Sequence, residues 1–407
     1  MWCSVRARIP GLKRSRPHSR TCSTMKAPWI VADMDNTLID KGPGAYPTLK
    51  EGPCYGPLMR WLRLGGNLLC VTSDDGYRPF THFWDEIDVE YRTNGQVLLS
   101  TAGGATLFRG NENGGVDELV EYWKEVKGGL PNPDQATALG CSMLRDFFLD
   151  AQKNPSLLSS LDGRRREEYQ RILHENPTEE QLRAALTEGN MLSMSKLLKR
   201  GSLVWMNQAG PASQWVRKKD VGMHGKIPRY TNLFVLGFPK SVSGPYLSKY
   251  RETFESLGIL ASAAPNSVCL SNQAIDKGTA IRWLHENDSV DFSIEQALGV
   301  GDCPTGNDYP LTCFQKEGMP FVNCGATPSD HDSFFLGNFE HGTARLITGL
   351  NDSFEEHVRA ENSKKGLHRT PFSYKTKFDV IARAIEASNN ESKKQEPRHH
   401  HGSKCNL

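Results

Sequence analysis

The sequence predicts an α/β protein: a core built on a buried parallel sheet, with a large α+β module inserted into it. Three observations predict this. Residues 29–32 form a four-residue apolar run, short enough for a buried central strand, that leads straight into Asp33-Met34-Asp35-Asn36-Thr37. A second apolar run at 67–71 follows a short helical segment, the strand–helix–strand order of a right-handed βαβ unit. From about 115 to 200 the texture becomes charged and helical, and strands and helices then follow in mixed order. That pattern suits an inserted module better than a continued parallel sheet.

Taken in order, the first strand must turn at its carboxyl end, where Asp35-Asn36-Thr37 supplies turn chemistry. Asp-x-Asp alone also occurs in calcium loops and ordinary turns. In an open α/β sheet, however, ligands bind in the crevice outside the carboxyl ends of the strands, and both carboxylates arrive there. Residues 41–53, rich in Gly and Pro, read as a loop. The helix at 57–64 is stopped by Gly65-Gly66. The second strand ends in Thr72-Ser73-Asp74-Asp75-Gly76, which brings Thr72 or Ser73 to the same edge as Asp33.

Residues 89–99 read as two short extended pieces around Asn94-Gly95, a pair that tolerates positive φ. Helices are expected at 116–126, 134–151, 164–174 and 179–199, the last capped by Thr178. Strands are expected at 202–206 and 232–236, joined by a Gly-, Pro- and Lys-rich loop at 208–231. An amphipathic helix at 247–257 and a short strand at 267–270 follow. No internal repeat is present. Residues beyond about 387, including His399-His400-His401, are polar and expected to be disordered.

Composition narrows the function. Hydrophobic residues at 38% and charged residues at 24% describe an ordinary globular protein with ample core in 407 residues. No apolar run approaches the roughly 20 residues that span a bilayer. The ten cysteines show neither a CxxC pair nor framework spacing, which points to a reduced intracellular setting without a zinc site. Residues 1–26 hold seven Lys or Arg and no acid, so the net charge of +2 becomes −5 without them. A mildly acidic body is a poor match for nucleic acid, which needs clustered cations. The leader reads either as an organellar transit peptide or as a disordered tail, in a cytoplasmic or organellar protein.

Two further segments complete a constellation. Ala274-Ile275-Asp276-Lys277-Gly278 puts an ammonium at the start of the helical run 279–286, where backbone donors also favour anions. Ala297-Leu298-Gly299-Val300-Gly301 is another strand, and it runs into Asp302-Cys303-Pro304-Thr305-Gly306-Asn307-Asp308. Asp33-Met34-Asp35-Asn36-Thr37, Thr72, Lys277 and Gly301-Asp302…Asn307-Asp308 resemble the four ordered motifs of the haloacid dehalogenase-like hydrolases. The resemblance covers about residues 28–330. The last motif departs from the common Gly-Asp-x-x-Asn-Asp form by being wider, and Thr72-Ser73-Asp74 stands where Cof-like members often carry Thr-Gly-Arg.

The resemblance implies a Rossmann-like core and a set of roles. Asp33 would attack a phosphomonoester to form an aspartyl phosphate. Asp35 would protonate the leaving oxygen and then activate water; an acid at this place favours phosphatase or phosphomutase chemistry. Thr72, Lys277 and Asn307 would bind the phosphoryl oxygens. Mg2+ would be held by Asp33, the backbone carbonyl of Asp35, and Asp302, with Asp308 in support. As a bland alternative, Thr72 is a strand-capping residue and Lys277 a surface lysine.

The same resemblance implies a C2-type cap, in the manner of Cof-like and sucrose-phosphatase-like members, because the long insertion lies between Thr72 and Lys277. The expected organisation is a basic leader at 1–26, a discontinuous core at 27–112 and 265–385, a cap at 113–264 and a tail at 386–407. Specificity would reside in the cap, with Arg217, Lys218, Lys219, His224, Lys226 and Arg229 of the 208–231 loop as candidate substrate readers. The expected partner is a small phosphorylated metabolite: a sugar phosphate, a phosphoglycerate derivative or a nucleotide. A phosphomutase, a 5′-nucleotidase and a non-catalytic binding protein are the alternatives.

Overall fold

A computed structural model describes residues 27–40, 47–74, 78–174, 205–209, 232–236, 238–263, 267–287 and 290–363, with single residues at 178, 180, 381, 382 and 386. The leader, the 179–199 segment apart from Glu180, residues 210–231 and the His399-His400-His401 tail lie outside the described residues. So do Arg217, Lys218, Lys219, His224, Lys226 and Arg229.

Twelve strands are described: β1 Trp29–Asp33, β2 Asn67–Val71, β3 Val97–Thr101, β4 Thr106–Gly110, β5 Val116–Glu118, β6 Trp205–Ala209, β7 Asn232–Leu236, β8 Ile259–Ala263, β9 Ser267–Asn272, β10 Ala297–Gly301, β11 Phe321–Asn323 and β12 Phe334–Phe335. Eight of them form one sheet in the order β12-β11-β10-β1-β2-β3-β4-β5. All neighbours are parallel from β12 to β3, and β4 and β5 are added antiparallel at one edge. β1 is flanked by β2, the next strand in the chain, and by β10, which arrives more than 260 residues later. Strand order reverses beside β1, so the crevice at its carboxyl end is a topological switch point.

Alternation along each strand divides the core into two layers. Ile30 and Ala32 of β1, Leu68 and Cys70 of β2, and Leu298 and Val300 of β10 pack on one face with the helices Tyr55–Arg63 and Phe339–Ser363. Trp29 and Val31, Leu69 and Val71, and Ala297 pack on the other with the helix Thr279–Glu286 and with Tyr122. Strands buried on both faces must be apolar throughout, which is why they read as continuous runs rather than as alternating ones.

The other four strands form an antiparallel sheet, β6-β7-β9-β8. The helices Pro133–Lys153, Gly163–His174 and Lys240–Ser256 pack with it in a separate cluster centred on Phe147, Phe148, Tyr169 and Phe238. Val116–Glu118 completes the large sheet and Ser267–Asn272 belongs to the small one. At the junction Asn272 donates through Nδ2 to the carbonyls of Lys127 and Gly129, both at 3.0 Å.

Several local expectations are corrected. Val89–Thr93 is a short helix rather than an extended piece, because Asp88 turns the chain and Thr93 Oγ1 caps back onto the Val89 carbonyl. The expected helix at 116–126 begins as β5, and only Val120–Val126 is helical. The helix expected at 247–257 starts at Lys240 and contains Pro245, which lies beyond the first turn and so forgoes one i→i−4 hydrogen bond. Of the strand expected at 202–206, residues 202–204 lie outside the described residues, and the described strand Trp205–Ala209 continues past 206.

Candidate active site

β1 ends at Asp33, and the chain folds into a tight turn. The Met34 carbonyl accepts from the amides of Leu38 and Ile39, both at 3.0 Å, and Asn36 N–H donates to the Ile39 carbonyl at 2.7 Å. Asn36 sits at φ +55°, a left-handed conformation that asparagine tolerates better than most residues. The turn aims the Asn36 amide at Asp302, whose Oδ2 accepts from it at 3.0 Å. One turn thus carries Asp33 and Asp35 and also reaches the end of β10.

The centre of the site is buried and charged. Lys277 donates to Asp33 Oδ1 and to Asp308 Oδ1, each at 2.6 Å. All three side chains are at most 3% exposed. Carboxylate oxygens of Asp33, Asp302 and Asp308 lie within 4.8 Å of one another. Burial and the nearby Asp308 carboxylate push the Asp33 carboxyl up to about 8, against the pull of Lys277. Burial alone would lower Lys277, but the Asp33 and Asp308 carboxylates outweigh it and raise its pKa above the ordinary lysine value. Asp302 is also raised, first by burial and further by Asp308, while the Asn36 hydrogen bond opposes.

The wide last motif is absorbed by a turn. Gly306 and Asp308 both donate their amides to the Cys303 carbonyl, at 2.9 and 3.1 Å, which returns Asp308 to the strand end. There its Oδ2 accepts from the amides of Asp302 and Cys303, both at 3.0 Å. Gly301 makes room for it, since a Cβ at that position would lie 2.5 Å from Asp308 Oδ2. Asp308 therefore holds the Asp302 loop with one oxygen and Lys277 with the other. Asn307, expected among the phosphate-binding residues, is exposed and makes no described hydrogen bond to the cluster.

At the end of β2, Thr72 is buried and Ser73 exposed. Asp33 pairs in register with Val71, one residue before Thr72. Thr72 Oγ1 accepts from the Asp74 amide at 3.0 Å, a capping contact that leaves the hydroxyl proton to donate. The Ala102-Gly103-Gly104 loop after β3 closes against the Lys277 segment. Gly104 has φ +102°, and a Cβ there would stand 2.0 Å from the Asp276 carbonyl.

Sequence reasoning missed Arg78. Its Nη2 donates to Asp35 Oδ1 in a close ion pair, and its Nε donates to Asp74 Oδ2 at 3.0 Å. Burial works against its charge, and Asp35 and Asp74 together overcome that and raise its pKa. The i,i+4 spacing of Asp74 and Arg78 was the local signal that could have pointed to it, but its contact with Asp35 comes only from the fold.

Three acidic side chains converging with oxygen ligands fit a hard divalent cation such as Mg2+, and their charge exceeds what Lys277 balances. No helix among the described residues is long and apolar enough to cross a membrane.

No family model matches the sequence, and no match is found among curated proteins. Solved structures with similar architecture include a haloacid dehalogenase-like hydrolase from B. subtilis, at 16% identity and TM-score 0.40, covering 79% of this chain and 99% of that one. Another, from Bacteroides thetaiotaomicron, shows 15% identity and TM-score 0.44 over 80% of this chain and 100% of that one. A trehalose-6-phosphate phosphatase from Aspergillus fumigatus shows 13% identity and TM-score 0.40 over 81% and 94%. These likenesses are modest in both identity and TM-score. This chain's strand order and the polar groups at the carboxyl ends of β1, β2 and β10 give it an α/β core with a polar crevice at the switch point, the architecture expected from the sequence.

Proposed function

We propose that the protein is a Mg2+-dependent phosphatase that hydrolyses a small phosphomonoester through an aspartyl phosphate on Asp33. The observation that carries this reading is the Asp33–Lys277–Asp308 arrangement beside Asp302 at a topological switch point. It holds a carboxylate nucleophile, a fixed cation and converging hard oxygen ligands in one buried place.

In the first step an oxygen of Asp33 attacks phosphorus, the bond to the ester oxygen breaks, and Asp35 gives that oxygen its proton. In the second step water attacks the aspartyl phosphate and passes a proton to Asp35. Inorganic phosphate leaves and the Asp33 carboxylate is restored. Thr72 and Lys277 would donate to the phosphoryl oxygens, where charge stabilisation contributes most to the rate. Asp33, Asp302 and the Asp35 carbonyl would hold Mg2+, with Asp308 supporting them. When bound, the ion supplies charge neutralisation between carboxylate and phosphate.

The second unit, at about 113–264, would act as a C2-type cap. Arg217, Lys218, Lys219, His224 and Arg229 are the candidate readers of a sugar phosphate, phosphoglycerate derivative or nucleotide. A phosphomutase would share the first step and differ in returning phosphate to a product. The test is phosphate release from a panel of such esters, with Mg2+ and with chelator, by wild type and Asp33→Asn. Metal-dependent release that vanishes in the variant is expected. Release by Asp33→Asn at the wild-type rate would overturn the reading.

A further inference from the structure

The proposed chemistry asks Asp35 to hand over a proton in one step and take one in the next, so its carboxyl must keep a fixed direction through both. Arg78 engages it: Nη2 donates to Asp35 Oδ1, while Nε donates to Asp74 Oδ2 at 3.0 Å. The guanidinium is planar, so holding Asp74 with one edge sets where the other donor points. Asp74 is itself fixed, because its amide donates to Thr72 Oγ1 and its carbonyl accepts from the Ala102 amide, both at 3.0 Å.

Arg78 also stands on a rigid base. It opens the helical turn Pro79–Phe83, whose Phe80 and Phe83 are buried in the core beside Trp84. The Phe80 ring meets Phe108 of β4 edge-on, with centroids 5.1 Å apart. The Arg78 side chain is 11% exposed and that of Asp35 16%, so water competes little for the pair.

We propose that Arg78, held by Asp74, is a positioning residue for Asp35: it fixes one carboxylate oxygen so that the other faces the ester oxygen and, later, the attacking water. The proposal rests on the phosphatase reading of the same site. Arg78 touches no reacting atom in this account, and its effect passes through Asp35.

The dependence on leaving group tests it. An alkyl phosphate needs protonation of its departing oxygen, whereas p-nitrophenolate departs without it. In Arg78→Met, turnover of an alkyl ester such as the best sugar phosphate is expected to fall on the order of a hundredfold, the scale of general acid–base catalysis. The first-turnover burst of p-nitrophenolate should stay within about threefold of wild type, with KM and inhibition by inorganic phosphate little changed. Arg78→Lys, which keeps the charge but loses the fork, should recover part of the alkyl-ester rate. Asp74→Asn should reproduce the selective loss more weakly. Equal losses on both esters, or a raised KM with unchanged kcat, would overturn the proposal in favour of a structural or substrate-binding role. Wild-type protein that hydrolyses neither ester overturns the phosphatase reading, and this inference with it.

Discussion

The Lys277 ammonium lies 2.6 Å from Asp33 Oδ1, across 244 residues of chain, and both side chains are essentially excluded from solvent. This contact joins the end of β1 to the loop that follows the second unit, and the two partners are not equivalent. Lys277 is the cation shared by two carboxylates. Asp33 is a carboxylate whose burial already disfavours its charge and pushes its pKa up to about 8.

Substitutions at the two positions should therefore separate activity from stability. Asp33→Asn removes the nucleophile and should abolish turnover, yet Lys277 keeps Asp308, so the melting temperature should hold or rise slightly. Lys277→Met leaves two buried carboxylates without their cation and should cost about 3–5 kcal/mol of stability. Its residual turnover should fall by about 10²–10³ through lost charge stabilisation. Calorimetry on both variants at pH 7 checks this. Equal destabilisation would mean that the pair, rather than the shared ammonium, carries the effect.

Gly301→Ala should damage the site from one residue before Asp302. Its Cβ would meet Asp308 Oδ2 at 2.5 Å and would push the carboxylate off the amides of Asp302 and Cys303. Crowding of this kind typically costs about 1–3 kcal/mol. Turnover should drop at least about tenfold, because a small displacement of a catalytic constellation is costly. A variant with wild-type kcat and melting temperature would show that the strand end yields without disturbing Asp308.

The site was legible where an apolar run ends in a polar residue. Asp33, Thr72 and Asp302 all follow such runs, and the structure brings all three strand ends to one edge of the sheet. Lys277 was legible from the helix it precedes. For Asn307, spacing cannot reveal that the loop turns back through the Cys303 carbonyl, which buries Asp308 and leaves Asn307 exposed. Arg78 was missed because its contact with Asp35 comes only from the fold. The short elements fared worst. Val89–Thr93 and Val116–Glu118 are too brief to establish a period, so their neighbours decide their conformation.

Cysteine reactivity offers a readout of the loop around Asp33. Cys54 Sγ donates to the Glu340 carbonyl at 3.1 Å, and Cys324 Sγ lies 3.6 Å from Thr37 Oγ1. Burial raises both thiols, Cys324 to about 12, so neither supplies thiolate near neutral pH. Of these and Cys313, only Cys313 is exposed. Mass spectrometry after brief iodoacetamide treatment should find Cys313 modified and Cys54 and Cys324 intact until denaturant is added. Prompt labelling of Cys324 would mean that the loop opens in the native state.

The second unit has its own pH-sensitive link. Burial opposes the charge of Asp146, but hydrogen bonds from Lys249, Tyr250 and Arg145 prevail and hold its carboxyl below the ordinary aspartate value. Tyr250 Oη donates at 2.7 Å and Lys249 Nζ at 2.5 Å, tying the helix Pro133–Lys153 to the helix Lys240–Ser256. A folded-state pKa below the unfolded one means that the unfolded chain binds the proton more readily. The stabilisation is therefore complete above the unfolded value of about 3.9 and is lost as pH falls through the lower folded value. Asp146→Asn should cost roughly 1.5–3 kcal/mol at pH 7, the scale for hydrogen bonds to a charged group. The gap between wild type and variant should persist from neutral pH down to about 4 and close below it. Melting curves of the two proteins across that range decide the matter. A gap that closes between pH 8 and 6 instead would assign the link to a different ionisation.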